Sequence, residues 1–418
     1  MPESAPASTA SPSSFELRAR VEAEQLETLD RALAPALPRL TTPALVIDLD
    51  AVRHNVAAMI TRCGDARRWR PHIKTIKQAA LLGQLHALGV HRCKCATLDE
   101  LELALTAAAA TETRADVLLA YPLHRAALAA ALAITARHEH ARVQLIADSP
   151  EHLRALVDEA ATRGRAIDVQ LDVDLGMGRT GSDPGRWREA WSRALVDSLG
   201  RARITGLHGY DGHFTWDERA AAHAAYRELL ALADAVLPTV RDRLAPGERF
   251  ELVTSGTHSY HHALAFAPLS DPARGELDHQ VSPGTIVLSD RRSEPAAADL
   301  GLRQAAFVVS RVISRDAARG RVTLDAGSKG VAPDCRPSCE VARRPELEPG
   351  AASEEHLPLR VRAGATAPAL GELLWLAPEH VCTTVNLYRV ALLLSRDAAP
   401  RESPIARGRS LWLDEVRP

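Results

Sequence analysis

Between about residue 44 and residue 290 the chain alternates short apolar runs with stretches rich in alanine and leucine. The run ALVIDLD (44–50) predicts a buried strand, and Asp50 is placed to cap the helix that follows it. Eight more runs alternate with helical stretches: WRPHIK, VHRCKCAT, ADVLLAYP, ARVQLIAD, IDVQLDVD, ARITGLHGY, FELVTSG and TIVLSD. This alternation predicts an α/β fold built on a parallel (β/α)8 barrel of the TIM type.

Beyond residue 300 the pattern changes to strand-like runs without a long helical segment: QAAFVVSRVIS, RVTLDAG, LPLRVRA, ELLWLAP, NLYRVALLL and SLWLDEV. We therefore predict a flexible tail at 1–14, a barrel with an N-terminal amphipathic helix at 15–295, and an all-β domain at 296–418. The section 336–356 is rich in proline, glutamate and alanine, which is typical of an exposed loop.

Charge and cysteine content narrow the classes of function. A formal net charge of -2 and an isoelectric point near 6.8 give no electrostatic reason to expect nucleic acid or an anionic membrane as a partner. The six cysteines show no disulfide-scaffold spacing, and no basic and apolar secretory signal opens the chain. These features favour a cytoplasmic protein that acts on a small molecule.

Polar residues collect where the predicted barrel strands end, which is where such barrels place their chemistry. They include Lys74, Arg179, Tyr210, the run Ser255, Gly256, Thr257, and the pair Gly284, Thr285. The TSGT and SPGT stretches either bind a phosphate through backbone N–H groups and hydroxyls or form ordinary tight turns. Lys74 is either a lysine at the barrel rim or an amine whose pKa is lowered enough for covalent chemistry.

Near the end of the chain, APEHVCTTVNLY places His380 and Cys382 two residues apart. On an extended strand both side chains would point to the same face. The pair either binds a metal or consists of a core cysteine and a hydrogen-bonded histidine. Cys93 and Cys95 are predicted to pack in a barrel strand, and Cys335 and Cys339 to lie in a loop with no histidine nearby.

Eight segments in order resemble one family of pyridoxal-phosphate enzymes. In chain order they are TPALVIDLDAVRHN, ATLDELELA, LDVDLGMGRTG, GLHGYDGH, TSGTHS, SPGTIVLSD, LDAGSKG and PEHVCTTVNLY. In addition, the run RPHIKTIK resembles the family's lysine signature. The family comprises D-threonine aldolases, eukaryotic-type D-serine dehydratases and D-3-hydroxyaspartate lyases, relatives of the alanine racemase barrel. Two departures are Ile76, where the family usually has histidine, and Ile286, where it usually has tyrosine.

The resemblance implies a role for each of these positions. Lys74 would carry pyridoxal 5'-phosphate, Tyr210 and Arg179 would contact it, and the phosphate would be held by Ser255, Gly256, Thr257, Gly284 and Thr285. His380 and Cys382 would bind a metal beside it. A thiolate with an imidazole favours zinc over manganese or magnesium.

The resemblance leaves several activities open. A dehydratase would convert a β-hydroxy D-amino acid such as D-serine to a 2-oxo acid and ammonia, and the cysteine ligand favours it. A metal-dependent D-threonine-type aldolase would give glycine and an aldehyde. Ser282 stands where alanine racemases carry an arginine, which argues against a racemase, and the C-terminal domain argues against a non-catalytic cofactor carrier. The resemblance also implies a homodimer.

Overall fold

Two sheets organise the chain, whose computed structural model describes residues 14–186, 191, 195, 197 and 202–407. The helices are α1 (Ser14–Leu33), α2 (Leu49–Cys63), α3 (Ala79–Ala87), α4 (Leu98–Ala110), α5 (Arg125–Ala136), α6 (Pro150–Thr162), α7 (Arg219–Val240), α8 (Tyr260–Ala265) and α9 (Val381–Val385). The predicted tail, except Ser14, and the predicted strand SLWLDEV lie outside the described residues. Within those residues, no helix has both the length and the apolar character that crossing a membrane requires.

The first sheet is a row of seven parallel strands in chain order. Its strands are β2 (Arg92–Cys95), β3 (Asp116–Leu119), β4 (Arg142–Ala147), β5 (Ile167–Asp174), β6 (Ala202–Tyr210), β7 (Phe250–Thr254) and β8 (Leu277–Val281). The segment 69–73 lies between the two edges of this row: Trp69 bridges Val281 and His72 bridges Lys94, both in the parallel sense. The segment therefore completes the barrel where the run WRPHIK was expected to form a strand.

The prediction of a strand in TIVLSD is wrong. Residues Thr285–Val287 form a short 3-10 helix, and the last barrel strand is β8, whose sequence is LDHQV. In β8, the buried Gln280 accepts a hydrogen bond from Arg70 inside the barrel, whereas the buried His279 points to the opposite face of the strand and bonds to Thr254. Because its interior positions are polar, β8 has no apolar run, whereas the apolar run after it is buried as a turn.

The second sheet contains strands from both ends of the chain. Its strands are β1 (Ala44–Asp48), β9 (Ala306–Asp316), β10 (Arg321–Leu324), β11 (Cys339–Val341), β12 (Leu347–Pro349), β13 (Leu357–Val361), β14 (Leu373–Pro378), β15 (Val390–Ser395) and β16 (Ala398–Pro404). β1 pairs antiparallel with β9 and parallel with β15. The strand predicted from ALVIDLD is therefore present, but it belongs to this sheet and not to the barrel.

Two local predictions need correction. Asp48, not Asp50, caps α2, because its carboxylate accepts the backbone N–H groups of Asp50 at 2.9 Å and Ala51 at 3.2 Å. The section 336–356 is not simply an exposed loop, since it contributes β11 and β12 and buries Cys339 and Leu347.

Helix α1 packs on the second sheet. Its apolar face places Leu26, Leu29 and Leu33 against Phe307 and Trp375. The indole of Trp375 also donates a hydrogen bond of 2.8 Å to Asp30 of α1. The predicted amphipathic helix is therefore part of the second sheet's core.

A buried polar network fills the end of the barrel where the strands begin. Arg70 donates to Asp116 at 2.9 Å, to Glu251 at 3.1 Å and to Gln280 at 2.6 Å. Arg142 pairs with the same two carboxylates, at 3.2 Å to Asp116 and 2.5 Å to Glu251. Burial disfavours ionisation of Asp116, but the two arginines outweigh it and lower its pKa. Charges at this end are therefore satisfied within the protein.

Replacing Arg70 with Met tests how much the barrel depends on this network. We expect a loss of about 3 kcal/mol in the free energy of unfolding, because removing one partner of a buried pair leaves charge uncompensated. Thermal or urea unfolding measures the loss. Arg67→Met is the matched control, since among the described residues Arg67 forms an ion pair only with Asp65, at the surface, and its side chain is 79% exposed. Equal losses in the two variants would contradict the expectation.

Candidate active site

A cavity of about 210 Å³ opens at the end of the barrel where the strands finish. A larger cavity, of about 400 Å³, lies at the opposite end, among the arginines and carboxylates of the buried network. Barrels of this class place their chemistry at the carboxyl ends of the strands, so the smaller cavity is the candidate site. Eight of the ten sequence-predicted site residues line it: Lys74, Tyr210, Gly256, Thr257, Gly284, Thr285, His380 and Cys382.

Lys74 follows directly on the segment that closes the barrel. Its backbone N–H donates to the His72 ring nitrogen at 3.2 Å, and its side chain is exposed to the cavity. The preceding segment is held on both sides, because Arg70 donates its backbone N–H to Val281 and Lys94 donates its own to Pro71, each at 2.9 Å. The amine of Lys74 is therefore carried on a rigidly paired backbone.

Two turns approach the cavity with little room for side chains. A Cβ on Gly284 would lie 2.3 Å from the carbonyl oxygen of His72, so glycine is required at this close approach. Among the described residues, the backbone N–H groups of Thr257 and Thr285 have no protein hydrogen-bond partner. These two N–H groups and the neighbouring threonine hydroxyls provide a donor set of the kind that holds a phosphate.

Ser255 lies behind the cavity and does not line it. Its backbone has φ of 70°, and its hydroxyl contacts Thr254 at 3.1 Å and the carboxylate of Asp211 at 3.4 Å. Asp211 also accepts hydrogen bonds from Tyr226 and from Ser259, the latter at 2.6 Å. Burial raises the pKa of Asp211, although these hydrogen bonds oppose the rise. Ser255 and Asp211 thus shape the turn that carries Gly256 and Thr257.

Tyr210, at the end of β6, forms one wall of the cavity between two cations. The Arg179 guanidinium carbon lies 4.4 Å from the ring centroid, and the Lys94 amine lies 5.4 Å from it. Both distances are within the range of cation–π attraction. Arg179 is exposed and does not line the cavity itself, so it contacts the site through the tyrosine ring.

Ser282 supplies a further polar group that sequence reasoning considered only as a difference from the racemases. It lines the cavity, is 3% exposed, and its hydroxyl oxygen has no hydrogen-bond partner among the described residues. A buried hydroxyl without a partner is costly unless a bound molecule satisfies it. The cavity therefore offers a polar contact inside as well as the donors of the two turns.

His380 and Cys382 lie in the chain between β14 and β15, but not on a strand. His380 is the N-cap residue of α9 and Cys382 lies in the first turn of that helix, so the expectation of an extended strand is wrong. The Cys382 sulfur contacts the Thr75 hydroxyl at 3.0 Å and the Thr285 hydroxyl at 3.8 Å. The pair is therefore placed against the segment that carries Lys74 and against one of the two turns.

The two side chains interact electrostatically. The hydrogen bond to Cys382 raises the pKa of His380 to about 9, although burial opposes the rise. Burial disfavours the Cys382 thiolate, but the hydrogen bond from His380 and the charges of His380 and Lys74 outweigh it and lower its pKa. An imidazolium and a thiolate are thus favoured together, and the thiolate is the form that binds a metal.

Asp334 and Cys335 extend this donor group. Asp334 accepts a hydrogen bond from His380 Nδ1 at 2.6 Å, an arrangement that typically orients a metal-binding imidazole. Asp334, Cys335 and His380 offer ligand atoms that all lie within 4.8 Å of one another. The prediction that Cys335 has no histidine nearby is therefore wrong. Imidazole, thiol and carboxylate in one place suit zinc.

Comparisons with known proteins agree with this architecture. A family described as "Alanine racemase, N-terminal domain" matches residues 47–264, more than half of the chain. The chain belongs to this family. A second family, described as "Putative serine dehydratase domain", matches residues 305–394. The predicted family, α/β fold class and enzyme type are confirmed, and membership of this family implies pyridoxal phosphate as the cofactor.

Two curated relatives match nearly the whole chain. A D-threonine aldolase from an Arthrobacter species is 28% identical over 381 residues, covering 86% of this chain and 90% of the relative. A D-threo-3-hydroxyaspartate dehydratase from Delftia sp. (strain HT23) is 28% identical over 388 residues, covering 86% and 96%.

A solved structure shares the fold. The crystal structure of a D-threonine aldolase from Filomicrobium marinum matches with a TM-score of 0.69 and 24% identity, covering 88% of this chain and 95% of that chain.

Alkylation of cysteines tests the proposed metal pair without any assay of activity. In chelator-treated protein at pH 7, iodoacetamide should modify Cys382 first, because its pKa is lowered while burial raises those of Cys63, Cys93 and Cys339 to about 12. Peptide mass spectrometry measures the order of labelling.

The controls use the neighbouring residues. Added zinc should protect Cys382, and His380→Ala should slow its alkylation, since the imidazolium stabilises the thiolate. Cys335 is the matched cysteine, because burial raises its pKa. Faster labelling of Cys335 than of Cys382 would contradict the assignment.

Proposed function

We propose that this protein is a lyase dependent on pyridoxal phosphate and zinc, which converts a β-hydroxy D-amino acid such as D-serine to a 2-oxo acid and ammonia. The observation that carries the proposal is the convergence of three groups on one cavity: the Lys74 amine, the unpartnered backbone donors of the two turns, and the His380 and Cys382 pair. Each group alone has an ordinary structural explanation.

The residues fit the cofactor. Thr257 and Thr285 would hold the phosphate with Gly256 and Gly284, the Ser282 hydroxyl would meet the pyridine nitrogen, and Tyr210 would pack beside the ring. Of the described residues that line the cavity, Lys74, Lys94 and Arg292 are cations and none is a carboxylate, which suits an anionic cofactor and an amino acid carboxylate.

When bound, pyridoxal phosphate would supply an electron sink for charge developing at the substrate Cα, and zinc a Lewis acid for its β-hydroxyl. Lys74, whose amine faces the cavity, would take the proton from Cα. His380 and Cys382 would hold the metal, with Asp334 fixing the imidazole through its 2.6 Å hydrogen bond. A neutral Ser282 leaves the pyridine nitrogen free of the guanidinium that alanine racemases place there, which favours elimination over racemisation.

Structures of a D-threo-3-hydroxyaspartate dehydratase support the metal assignment. Two of them carry substitutions: in one a histidine is replaced by alanine, and in the other, which is metal-free, the cysteine two positions further along is replaced by alanine. His380 and Cys382 have the same types and the same spacing. We therefore assign the metal to this pair and to zinc before manganese or magnesium.

A D-threonine-type aldolase is the second candidate, because one of the two relatives that are 28% identical is an aldolase and the other is a dehydratase. It would use the same cavity, with the β-hydroxyl proton removed and the bond between Cα and Cβ broken. The thiol at position 382 favours the dehydratase, since the family's aldolases more often carry an aspartate there. A homodimer and a location in the cytoplasm remain predictions.

Mapping the residue that binds the cofactor covalently tests the role proposed for the Lys74 amine. Sodium borohydride reduction of the loaded protein followed by peptide mapping should place the cofactor on Lys74, because its amine is the exposed one in the cavity. Lys94 lines the same cavity and is the informative alternative, whereas Lys77 pairs with Glu100 and Lys329 with Glu354. A label on any of these three would contradict the assignment. Lys74→Ala should abolish the label and keep the fold.

The substrate assay tests the reaction. With D-serine, D-threonine and D-threo-3-hydroxyaspartate, we expect 2-oxo acid and ammonia in equal amounts, and no turnover of L-serine. His380→Ala should lower kcat by several orders of magnitude, because a Lewis acid contributes several kcal/mol and each ~1.4 kcal/mol is tenfold in rate. Glycine and an aldehyde as the main products would favour the aldolase instead, and unchanged turnover in the variant would remove the metal from the proposal.

A further inference from the structure

Lys94 is a second lysine in the cavity that the proposed reaction does not use. It lies on β2, is 2% exposed, and lines the cavity together with Lys74. Its amine lies 3.3 Å from His208 Nε2, and His208 Nδ1 lies 2.6 Å from the carboxylate of Asp172. The three side chains come from β2, β6 and β5, so they form a hydrogen-bonded chain across the barrel interior that ends in the cavity at Lys94.

The carboxylate of Asp172 sets the donor-to-acceptor direction of the hydrogen bonds in this chain. Asp172 accepts the Nδ1 proton of His208, so the lone pair of Nε2 faces the Lys94 amine, which donates to it. The second carboxylate oxygen of Asp172 is buried and has no partner among the described residues. Burial and the charge of Lys94 lower the pKa of His208, which keeps the imidazole neutral. The chain therefore has an unused acceptor at one end and a proton donor at the other.

Lys94 is buried among groups of both charges. The titratable and charged groups that face it are His72, Lys74, Arg179, Asp172, His208, Tyr210 and Asp211. Burial, with the charges of Lys74 and Arg179, lowers the pKa of Lys94 to about 7, although the two aspartates oppose the change. In the described residues, no carboxylate forms an ion pair with its amine. A lysine in such surroundings changes its charge near neutral pH, which an exposed lysine does not do.

We propose that Lys94 is a second proton-exchanging residue of this active site, which donates its amine proton to, and takes one back from, molecules bound in the cavity. This inference rests on the proposed function of the cavity as a cofactor site. In the donating step, a proton leaves the Lys94 ammonium for a basic atom of the bound molecule, and the neutral amine keeps the electron pair. His208 accepts the hydrogen bond from that amine in both states and fixes its position.

The alternative is that Lys94 is a structural residue that only fills the barrel. A structural lysine would keep one charge state, and methionine, of similar length, would replace it without changing any pH dependence. If Lys94 exchanges a proton, replacing it with a permanently charged arginine or with a neutral methionine should abolish the same pH-dependent transition.

The composition of the chain makes the charge of Lys94 directly measurable. Among 51 basic residues there are only four lysines, Lys74, Lys77, Lys94 and Lys329. Protein labelled with lysine carrying 13C at the ε-carbon should therefore give four signals, assigned with single Lys→Met variants. We expect the Lys94 signal to titrate with a midpoint of about 7 in cofactor-free protein. Lys329, whose pKa is raised by hydrogen bonds to Glu354 and Glu355, is the matched control.

The loaded protein supplies the second measurement. The absorbance of bound pyridoxal phosphate in the unmodified chain should change with a midpoint near pH 7, and Lys94→Met and Lys94→Arg should both lose that transition. Each variant should also lower kcat/KM for D-serine by about 10²-fold, the scale of one proton-transferring group. Lys329→Met should match the unmodified chain in both respects.

The two proposals fail in different ways. A Lys94 midpoint near that of an ordinary lysine, about 10.4, overturns the role of Lys94 and leaves the proposed function intact. Retention of the pH transition in both Lys94 variants does the same. Absence of cofactor binding to the unmodified chain overturns the proposed function and this role with it. If Lys94→Met fails to fold, the titration of the unmodified chain still decides the inference.

Discussion

The backbone contact between Gly284 and His72 is the constraint on which the rest of the site depends. A Cβ on Gly284 would lie 2.3 Å from the His72 carbonyl oxygen, and the indole of Trp69 donates to the carbonyl of the adjacent Pro283 at 2.9 Å. The segment that closes the barrel is thereby fixed against the turn proposed to hold the phosphate. Lys74 comes directly after this segment, which ends at Ile73. The distance between the Lys74 backbone and the turn is therefore set by backbone contacts and not by flexible side chains.

The barrel separates its charges between its two ends. At the beginning of the strands, Arg70 and Arg142 are paired with Asp116 and Glu251, so that network has little charge left for a ligand. At the other end, the described cavity-lining residues include cations without a carboxylate. The smaller cavity is therefore the one with unsatisfied positive potential, which is what binding an anionic cofactor requires. Size alone would have selected the wrong cavity.

Barrel strands were predicted correctly from the sequence where apolar residues recur along the strand, and were missed where they do not. Strands such as β5 and β6 were found because apolar residues recur along them, whereas β8 was missed because its central residues Asp278, His279 and Gln280 are all polar. The positions lining the cavity were predicted through motifs, and eight of ten meet there. Lys94 and Cys335 were missed because each lies beside its partners only after distant segments fold together: Lys94 is 114 residues from His208.

The proposed metal pair, His380 and Cys382, lies between β14 and β15 of the second sheet, yet residues of the barrel domain hold it in place. Asp290, which follows the last barrel turn, accepts the backbone N–H of Val381 at 2.9 Å, directly between His380 and Cys382. Thr75, next to Lys74, contacts the Cys382 sulfur at 3.0 Å. Because β1 pairs with both β9 and β15, the strand that precedes the barrel lies in one sheet with the strands that follow it. Because the candidate site draws on both sheets, neither matched family segment contains all of its residues. The proposed cofactor lysine, Lys74, lies in the segment 47–264, and the proposed metal pair lies in the segment 305–394.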